Sequence, residues 1–344
     1  MLDALEKYKQ LMGRIPNQGV GKYIKVKSAL VLLNCLENIA TSMHKDPYPS
    51  LTSAISNQFQ FLEETAKLSE VLDKSGRIDG QHDESDLQEQ SITLFQDAWT
   101  TYGRETYEHS VQLIRKRLIA NGFDKNFFSG KVCFDGGCGT GRFSIAMAEL
   151  GAKQVVAADL GDASLAMARH VAKEYQLDTI EFVKQDITDL RGWNDESFDF
   201  VASNGVLHHT LEAERGIREH FRITKHGGAF WLYLYGDGGI YWFVYDQMKM
   251  LIKDLSEKEV KKILLQFQIR EGLIYTFLDN VMAPIRNYYY TSNVVDMLKE
   301  IGSFSVSNLK GSSEIDDTAM VMNARYGKEI YGNEGEVRIR IDKM

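Results

Sequence analysis

The sequence predicts an α/β domain built on a doubly wound, mostly parallel seven-stranded sheet, with a helical N-terminal extension and a helical insertion after the fifth strand. Three observations predict it. Short β-rich runs alternate with helical patterns through the middle of the chain, as they do where helices cross over a parallel sheet. Runs such as Ala229-Phe230-Trp231-Leu232-Tyr233-Leu234-Tyr235 are nearly all apolar or aromatic, which implies a sheet covered on both faces. That rhythm breaks after the fifth run and resumes in two late β-rich runs.

Taken in order, the first zone reads helical. Ala29, Leu30, Leu33, Leu36, Ile39, Ala40 and Met43 form an apolar stripe at helix spacing. The turn Asp46-Pro47-Tyr48-Pro49 is expected to end it, with Ser50 as N-cap of a helix carrying Leu51, Ile55, Phe59, Leu62 and Ala66. The polar run from Gly76 to Glu84 reads as a linker. Residues 1–92 are therefore an extension that either covers a substrate or pairs two chains into a homodimer. Residues 93–239 form the core, with strands at Val132–Asp135, Gln154–Leu160, Ile180–Asp186, Phe198–Ser203 and Ala229–Tyr235. Helical patterns separate them at Phe143–Leu150, Ser164–Tyr175 and Leu211–Ile223. Residues 240–290 read as a helical insertion covering an acceptor pocket, with Ser256 and Glu259 spaced as a capping box. Residues 291–344 return to the sheet, with a helix capped at Thr291-Ser292 and strands at Phe304–Leu309 and Val337–Ile341.

Composition narrows the function. A chain of 344 residues with 44% hydrophobic and 26% charged residues can bury a substantial core. Its 40 basic against 48 acidic residues, net −8, argue against a nucleic-acid groove. Cys35, Cys133 and Cys138 have neither disulfide-framework density nor metal-ligand spacing, so no metal is expected and the cysteines fit a reducing, cytoplasmic setting. The first residues carry no apolar signal region, and no run approaches the roughly 18 apolar residues of a membrane span.

The most informative stretch is Val132-Cys133-Phe134-Asp135-Gly136-Gly137-Cys138-Gly139-Thr140-Gly141-Arg142-Phe143. A buried strand ends in an acid, passes through glycines and enters a helix, at the sheet edge where ligands bind. The spacing is G-x-G-x-G; a dinucleotide fingerprint would need glycine where Arg142 stands, and no G-x-x-x-x-G-K-[ST] phosphate loop occurs. Asp159 ends the second strand, where a carboxylate can accept from both hydroxyls of a ribose, and Asp186 ends the third.

This constellation, over roughly residues 122–236, resembles the class I S-adenosylmethionine-dependent methyltransferases. The resemblance implies S-adenosylmethionine as cofactor. It implies that Asp135, Gly137, Gly139 and Gly141 cradle its methionine part. Asp159 would hold the ribose, Leu160 would also bind the cofactor, and Asp186, with Ile187 packing nearby, would face the adenine amino group. Asn204, in Ser203-Asn204-Gly205-Val206-Leu207-His208-His209, falls in the family's fourth motif. The segment Phe95–Gly103, with Trp99 and Tyr102, falls where relatives fold a lid over the cofactor. Lys225-His226-Gly227-Gly228 stands where the family carries a Lys-Pro-Gly-Gly turn before strand five.

A sulfonium methyl is already electrophilic, so alignment of the nucleophile is the main task. A hydroxyl or protonated amine acceptor also needs a base, for which His208 and His209 are the candidates; a thioether or neutral amine needs none. Tyr107, Tyr235, Tyr241 and Tyr289 are the aromatic candidates for an acceptor site, and Arg286 the candidate partner for an acceptor carboxylate. The expected function is methyl transfer to O, N or S of a small molecule. The alternatives are a protein or RNA acceptor docked by the extra helices, or a non-catalytic scaffold, against which the intact glycine loop and strand-end acids speak.

Overall fold

The computed structural model describes residues 1–72, 94, 103–311 and 317–344. The chain divides into two compact units, one spanning Met1–Asp86, Gly238–Met282 and Asn323–Asn333, the other Leu87–Asp237, Ala283–Met322 and Glu334–Met344. Of the residues read as an insertion over 240–290, those up to Met282 fall in the first unit and residues 283–290 in the sheet unit.

The sheet unit holds seven strands: β1 (Val132–Gly136), β2 (Gln154–Asp159), β3 (Ile180–Lys184), β4 (Phe198–Asn204), β5 (Thr224–Leu234), β6 (Phe304–Asn308) and β7 (Val337–Lys343). Their order is β3-β2-β1-β4-β5-β7-β6. Strands β3 to β5 are parallel, and β7 runs antiparallel between β5 and β6. Strand order reverses between β1 and β4, so their C-terminal ends open the crevice in which such sheets bind ligands.

Alternation along the strands feeds two cores. On one face Phe134, Val156, Val201, Phe230 and Leu232 pack with Ile217 and Phe221 of the Ala213–Ile223 helix. On the other, Cys133, Val155, Phe200 and Trp231 pack with Phe143, Ile145 and Met147 of the Arg142–Glu149 helix. Burial on both faces explains why the parallel strands read as unbroken apolar runs.

Strand β5 begins earlier than expected. Lys225-His226-Gly227-Gly228 does not form a separate turn; it lies inside β5, across a register shift opposite Phe198 and Phe200. Glycine at 227, with φ +74°, accommodates the irregularity. The Thr291–Lys299 helix has Tyr290 at its N-cap, one residue before the expected pair, with Asn293 Oδ1 accepting from Tyr290 N–H at 2.9 Å.

In the helical unit the stripe of the Val20–Ala40 helix is buried as its spacing requires, with Ala29, Leu33 and Leu36 fully so. Asp46-Pro47-Tyr48-Pro49 starts a helix: Pro47–Ser56 is capped by Asp46, which accepts from Tyr48 N–H at 3.0 Å. Proline suits a first helical turn, where an amide proton has no intrahelical partner. Ser50 is therefore inside the helix, and the run from Leu51 to Ala66 is divided at Asn57-Gln58, with a second helix at Phe59–Leu72. The later segments add helices at Gly239–Ile252, Glu257–Gln266, Glu271–Phe277 and Gly327–Tyr331. The Ser256–Glu259 capping box forms as its spacing predicts. No helix among the described residues is long and apolar enough to cross a membrane.

One contact sets the spacing between β1 and the Ala213–Ile223 helix. A Cβ on Gly136 would stand 1.9 Å from His220 Nε2. His220 falls on the apolar stripe of Ala213, Gly216, Ile217 and Phe221, is fully buried, and stacks on Phe230. Gly136→Ala is expected to destabilise the chain by about 1–3 kcal/mol through overpacking. Urea unfolding should show the lowered midpoint, and His220→Ala combined with Gly136→Ala should cost less than the sum of the single changes. Strict additivity would refute the contact.

Candidate active site

The glycine loop is held by the end of β2. Gly137 and Cys138 N–H donate to Ala158 O at 2.8 and 2.9 Å, and Gly139 N–H donates to Asp159 Oδ2 at 2.8 Å. Gly141 N–H closes the turn on Cys138 O at 2.8 Å, and the helix starts at Arg142. Gly137 has no room for a side chain, since a Cβ would meet Val206 at 2.5 Å. Gly139 differs: φ is +52°, and a Cβ there would meet nothing within 4 Å. The loop therefore presents bare backbone to open space at Gly139.

Asp135 lies beneath the loop, 2% exposed, accepting from Ser144 Oγ. Burial pushes its carboxyl up to about 7; the Ser144 bond opposes the rise and neighbouring Asp159 adds to it. Asp159 ends β2 as expected. Its Oδ1 accepts from Gly161 N–H at 2.8 Å while Oδ2 holds Gly139, and burial raises its pKa against these bonds. Leu160 stands half-buried beside it and its backbone N–H also serves the Asp159 carboxylate. Asp186 lies two residues beyond β3; Oδ1 accepts from Thr188 N–H and Oγ1, both at 2.8 Å, and Oδ2 takes no part in this turn. Ile187 is buried, its side chain taken up by the core around Ile217. Asn204 ends β4, with Oδ1 accepting from Trp231 Nε1 at 3.0 Å. Trp99 and Tyr102, and the linker from Gly76 to Glu84, lie outside the described residues.

His208 and His209 follow β4 in a single 3-10 turn, Leu207–His209, and both are buried. Tyr235 N–H donates to His208 Nδ1 at 3.3 Å, and the Tyr235 ring stacks on His208 at 3.7 Å between centroids. Burial, then proximity to His209 and Arg338, drives the His208 pKa well below its ordinary value. His209 Nδ1 bonds the Ile285 carbonyl at 2.8 Å.

The segment after the insertion clips onto this turn. Asn287 N–H donates to His208 O at 2.8 Å, and Asn287 Nδ2 to Thr210 O at 2.8 Å. Tyr289 N–H donates to Tyr235 O at 3.0 Å. Tyr235 and Tyr289 therefore meet at the histidine turn, and burial, aided by Glu214, pushes the Tyr289 phenol up to about 12. Arg286 stands half-buried between the two anchoring residues Ile285 and Asn287. Tyr107 goes elsewhere: buried, with its hydroxyl donating to Thr140 O at 2.7 Å, it props the glycine loop. Tyr241 belongs to the helical unit, where its ring packs on Trp242, Tyr245 and Tyr331. Among the described residues no cluster of His, Cys, Asp and Glu could hold a metal ion, and the three cysteines are free and buried.

Sequence reasoning missed Ser144, His220, Ile285 and Asn287. Ser144 had a signal, a polar residue inside the otherwise apolar stretch Phe143–Ala148 of its helix. Asn287 had none, being brought to Thr210 across 77 positions by tertiary structure alone.

Residues 134–232 match the family model described as a methyltransferase domain. Residues 134–232 thus form a methyltransferase domain, and the sheet order above is that of the class I methyltransferase fold. A demethylmenaquinone methyltransferase of Clavibacter sepedonicus is 39% identical over 101 residues, covering 29% of this chain and 39% of the relative. A ubiquinone biosynthesis O-methyltransferase of Pseudomonas fluorescens is 36% identical over 106 residues, covering 29% and 42%. Among solved structures, phosphoethanolamine N-methyltransferase 1 of Haemonchus contortus, in complex with phosphoethanolamine and S-adenosylhomocysteine, is 17% identical with a TM-score of 0.38, covering 46% of this chain and 34% of that one. The chain spans less than half the length of these curated relatives.

Two buried groups on β1 and its flanking helix oppose each other in pH. Asp135 is raised from 3.8 to about 7, so the folded chain binds its proton more tightly than the unfolded chain. Its stabilisation is complete below about pH 4 and is lost as pH rises to about 7, on the order of 4 kcal/mol. His220 is lowered by burial from 6.5 to about 4, partly offset by its Nδ1 bond to Gly216 O. Its contribution is lost in the other direction, on the order of 3 kcal/mol as pH falls from about 6.5 to about 4. Relative to the unmodified chain, Asp135→Asn should gain stability as pH rises through this window and His220→Gln should lose it. Urea unfolding at a series of pH values checks both, and parallel curves for all three chains would refute the assignment.

Proposed function

We propose that this chain transfers a methyl group from S-adenosylmethionine to a small-molecule acceptor by in-line displacement. The observation that carries the reading is the loop at Gly139: bare backbone facing open space, tied to Asp159, with a further acid at Asp186 one strand along. These residues fit the cofactor. The Asp159 carboxylate accepts from Gly139, Gly161 and Leu160 N–H and keeps about one lone-pair position, with which it would hold a ribose hydroxyl. Asp186 would take the adenine amino group through Oδ2, and the Gly137–Gly141 loop would receive the methionine part. When bound, the cofactor supplies a methyl on a sulfonium, a good electrophile.

The chain then has to position the acceptor and manage its proton. Alignment contributes on the order of 7–11 kcal/mol in well-oriented reactions. His209 is the base candidate, since its Nδ1 bond to Ile285 O leaves Nε2 as the accepting nitrogen of a neutral ring. His208 is ruled out as a base at Nδ1, which already accepts from Tyr235 N–H. The relatives' names, demethylmenaquinone methyltransferase and ubiquinone biosynthesis O-methyltransferase, support intermediates of quinone biosynthesis, hydroxyl-bearing ones included, as the first acceptors to be tried. The net charge of −8 favours a small acceptor over a nucleic acid.

Titration calorimetry should show S-adenosylmethionine binding to the full chain. Asp159→Ala should weaken it roughly ten- to a hundred-fold, the loss of a charged hydrogen bond at about 1.5–3 kcal/mol. Absence of binding, or an unchanged affinity in the variant, would sink the reading.

A further inference from the structure

The backbone around the histidine turn forces the two adjacent rings into opposite protonation patterns. An amide only donates, so Tyr235 N–H at 3.3 Å makes His208 Nδ1 an acceptor and puts the proton of the neutral ring on Nε2. A carbonyl only accepts, so Ile285 O at 2.8 Å puts the His209 proton on Nδ1 and the lone pair on Nε2. The ring centroids stand 4.2 Å apart at 62°. His208 is fully buried, and its Nε2–H has no hydrogen-bond partner among the described residues. A buried donor left unmatched is costly, and such groups in folded proteins call for a function or a guest. Asn287 keeps the turn in place by donating from its backbone N–H and Nδ2 to His208 O and from Nδ2 to Thr210 O.

Resting on the methyl-transfer reading above, we propose that His208 and His209 together form a receptor for a hydroxyl group, and that the acceptor is methylated on that oxygen. The argument is a count of protons and lone pairs. A hydroxyl oxygen has one proton and two lone pairs. The proton goes to His209 Nε2, one lone pair accepts from His208 Nε2–H, and the second remains to attack. A neutral amine has one lone pair, which cannot both accept from His208 and attack carbon. A thioether and a carboxylate have no proton to offer His209, and a thiol sulfur is a weak acceptor. In the step, the O–H proton passes to His209 as the oxygen–carbon bond forms. The carbon–sulfur bond breaks with its electron pair staying on sulfur, leaving a neutral thioether and a His209 imidazolium that releases its proton to solvent.

The test uses the unmodified full chain, labelled with ¹⁵N-histidine and saturated with S-adenosylhomocysteine. Nitrogen–proton correlation spectra should show His208 protonated on Nε2 and His209 on Nδ1; the same tautomer on both rings overturns the proposal. The probes are then phenol and anisole, alike in shape except for the hydroxyl proton. Phenol at millimolar concentration should shift the Nε2 resonances of both rings and anisole should not; equal responses, or none to phenol, overturn it. With methyl-labelled cofactor and cell extract, label should appear on oxygen, and label on nitrogen, sulfur or carbon overturns it. Failure of S-adenosylhomocysteine to bind, seen separately by calorimetry, would instead defeat the methyltransferase reading and leave the ring assignments intact.

Discussion

Three successive amides of the glycine loop are tied to the end of one neighbouring strand: Gly137 and Cys138 to the Ala158 carbonyl, Gly139 to the Asp159 carboxylate. The site depends on this tie. It turns the chain sharply enough to start the Arg142–Glu149 helix and leaves the Gly139 backbone uncovered. It also places Asp159 at the rim in an ionisable, partly satisfied state. Side chains at 137 or 139 would break it for different reasons, collision with Val206 in one case and an unfavourable left-handed φ in the other. Tyr107 supports the loop from outside through Thr140, and Ser144 supports Asp135 beneath it.

The sheet was readable because its parallel strands are buried on both faces and its connections are short enough to keep periodicity visible. The candidate cofactor residues stood out because they sit at strand ends, where a strand's own sequence announces its terminus. The histidine turn was only half readable: His208 and His209 stand in sequence, but their tautomers are set by Tyr235, 27 positions on, and Ile285, 76 positions on. Local pattern carries no trace of such partners. The misplaced boundaries have local causes instead. Pro47 and Pro49 read as breakers, although proline is at home in a first helical turn. Gly227-Gly228 read as a turn because an irregular strand and a tight turn both use glycine.

The helical unit shows a different limit. Its members come from three stretches separated by the sheet segments, and each stretch alone displays only an amphipathic or apolar helix. Periodicity tells which face is buried without naming the neighbour that buries it. Lys22 meeting Glu259, and Asn17 meeting Asp254 at 2.7 Å, are ties of this kind.

The position of β7 has a bearing on how the chain is made. Residues 337–343 are synthesised after the six other strands described, yet they lie between β5 and β6. Until they leave the ribosome, the apolar edge of β5, Ala229 to Leu234, has no antiparallel neighbour and β6 has nowhere to dock. During translation, then, the nascent chain carries an open, sticky strand edge of the kind that seeds misassembly. Arrival of β7 seals it with alternating Arg338 and Arg340 against buried Ile339 and Ile341, charges that suit a strand which must find its slot in an otherwise finished sheet.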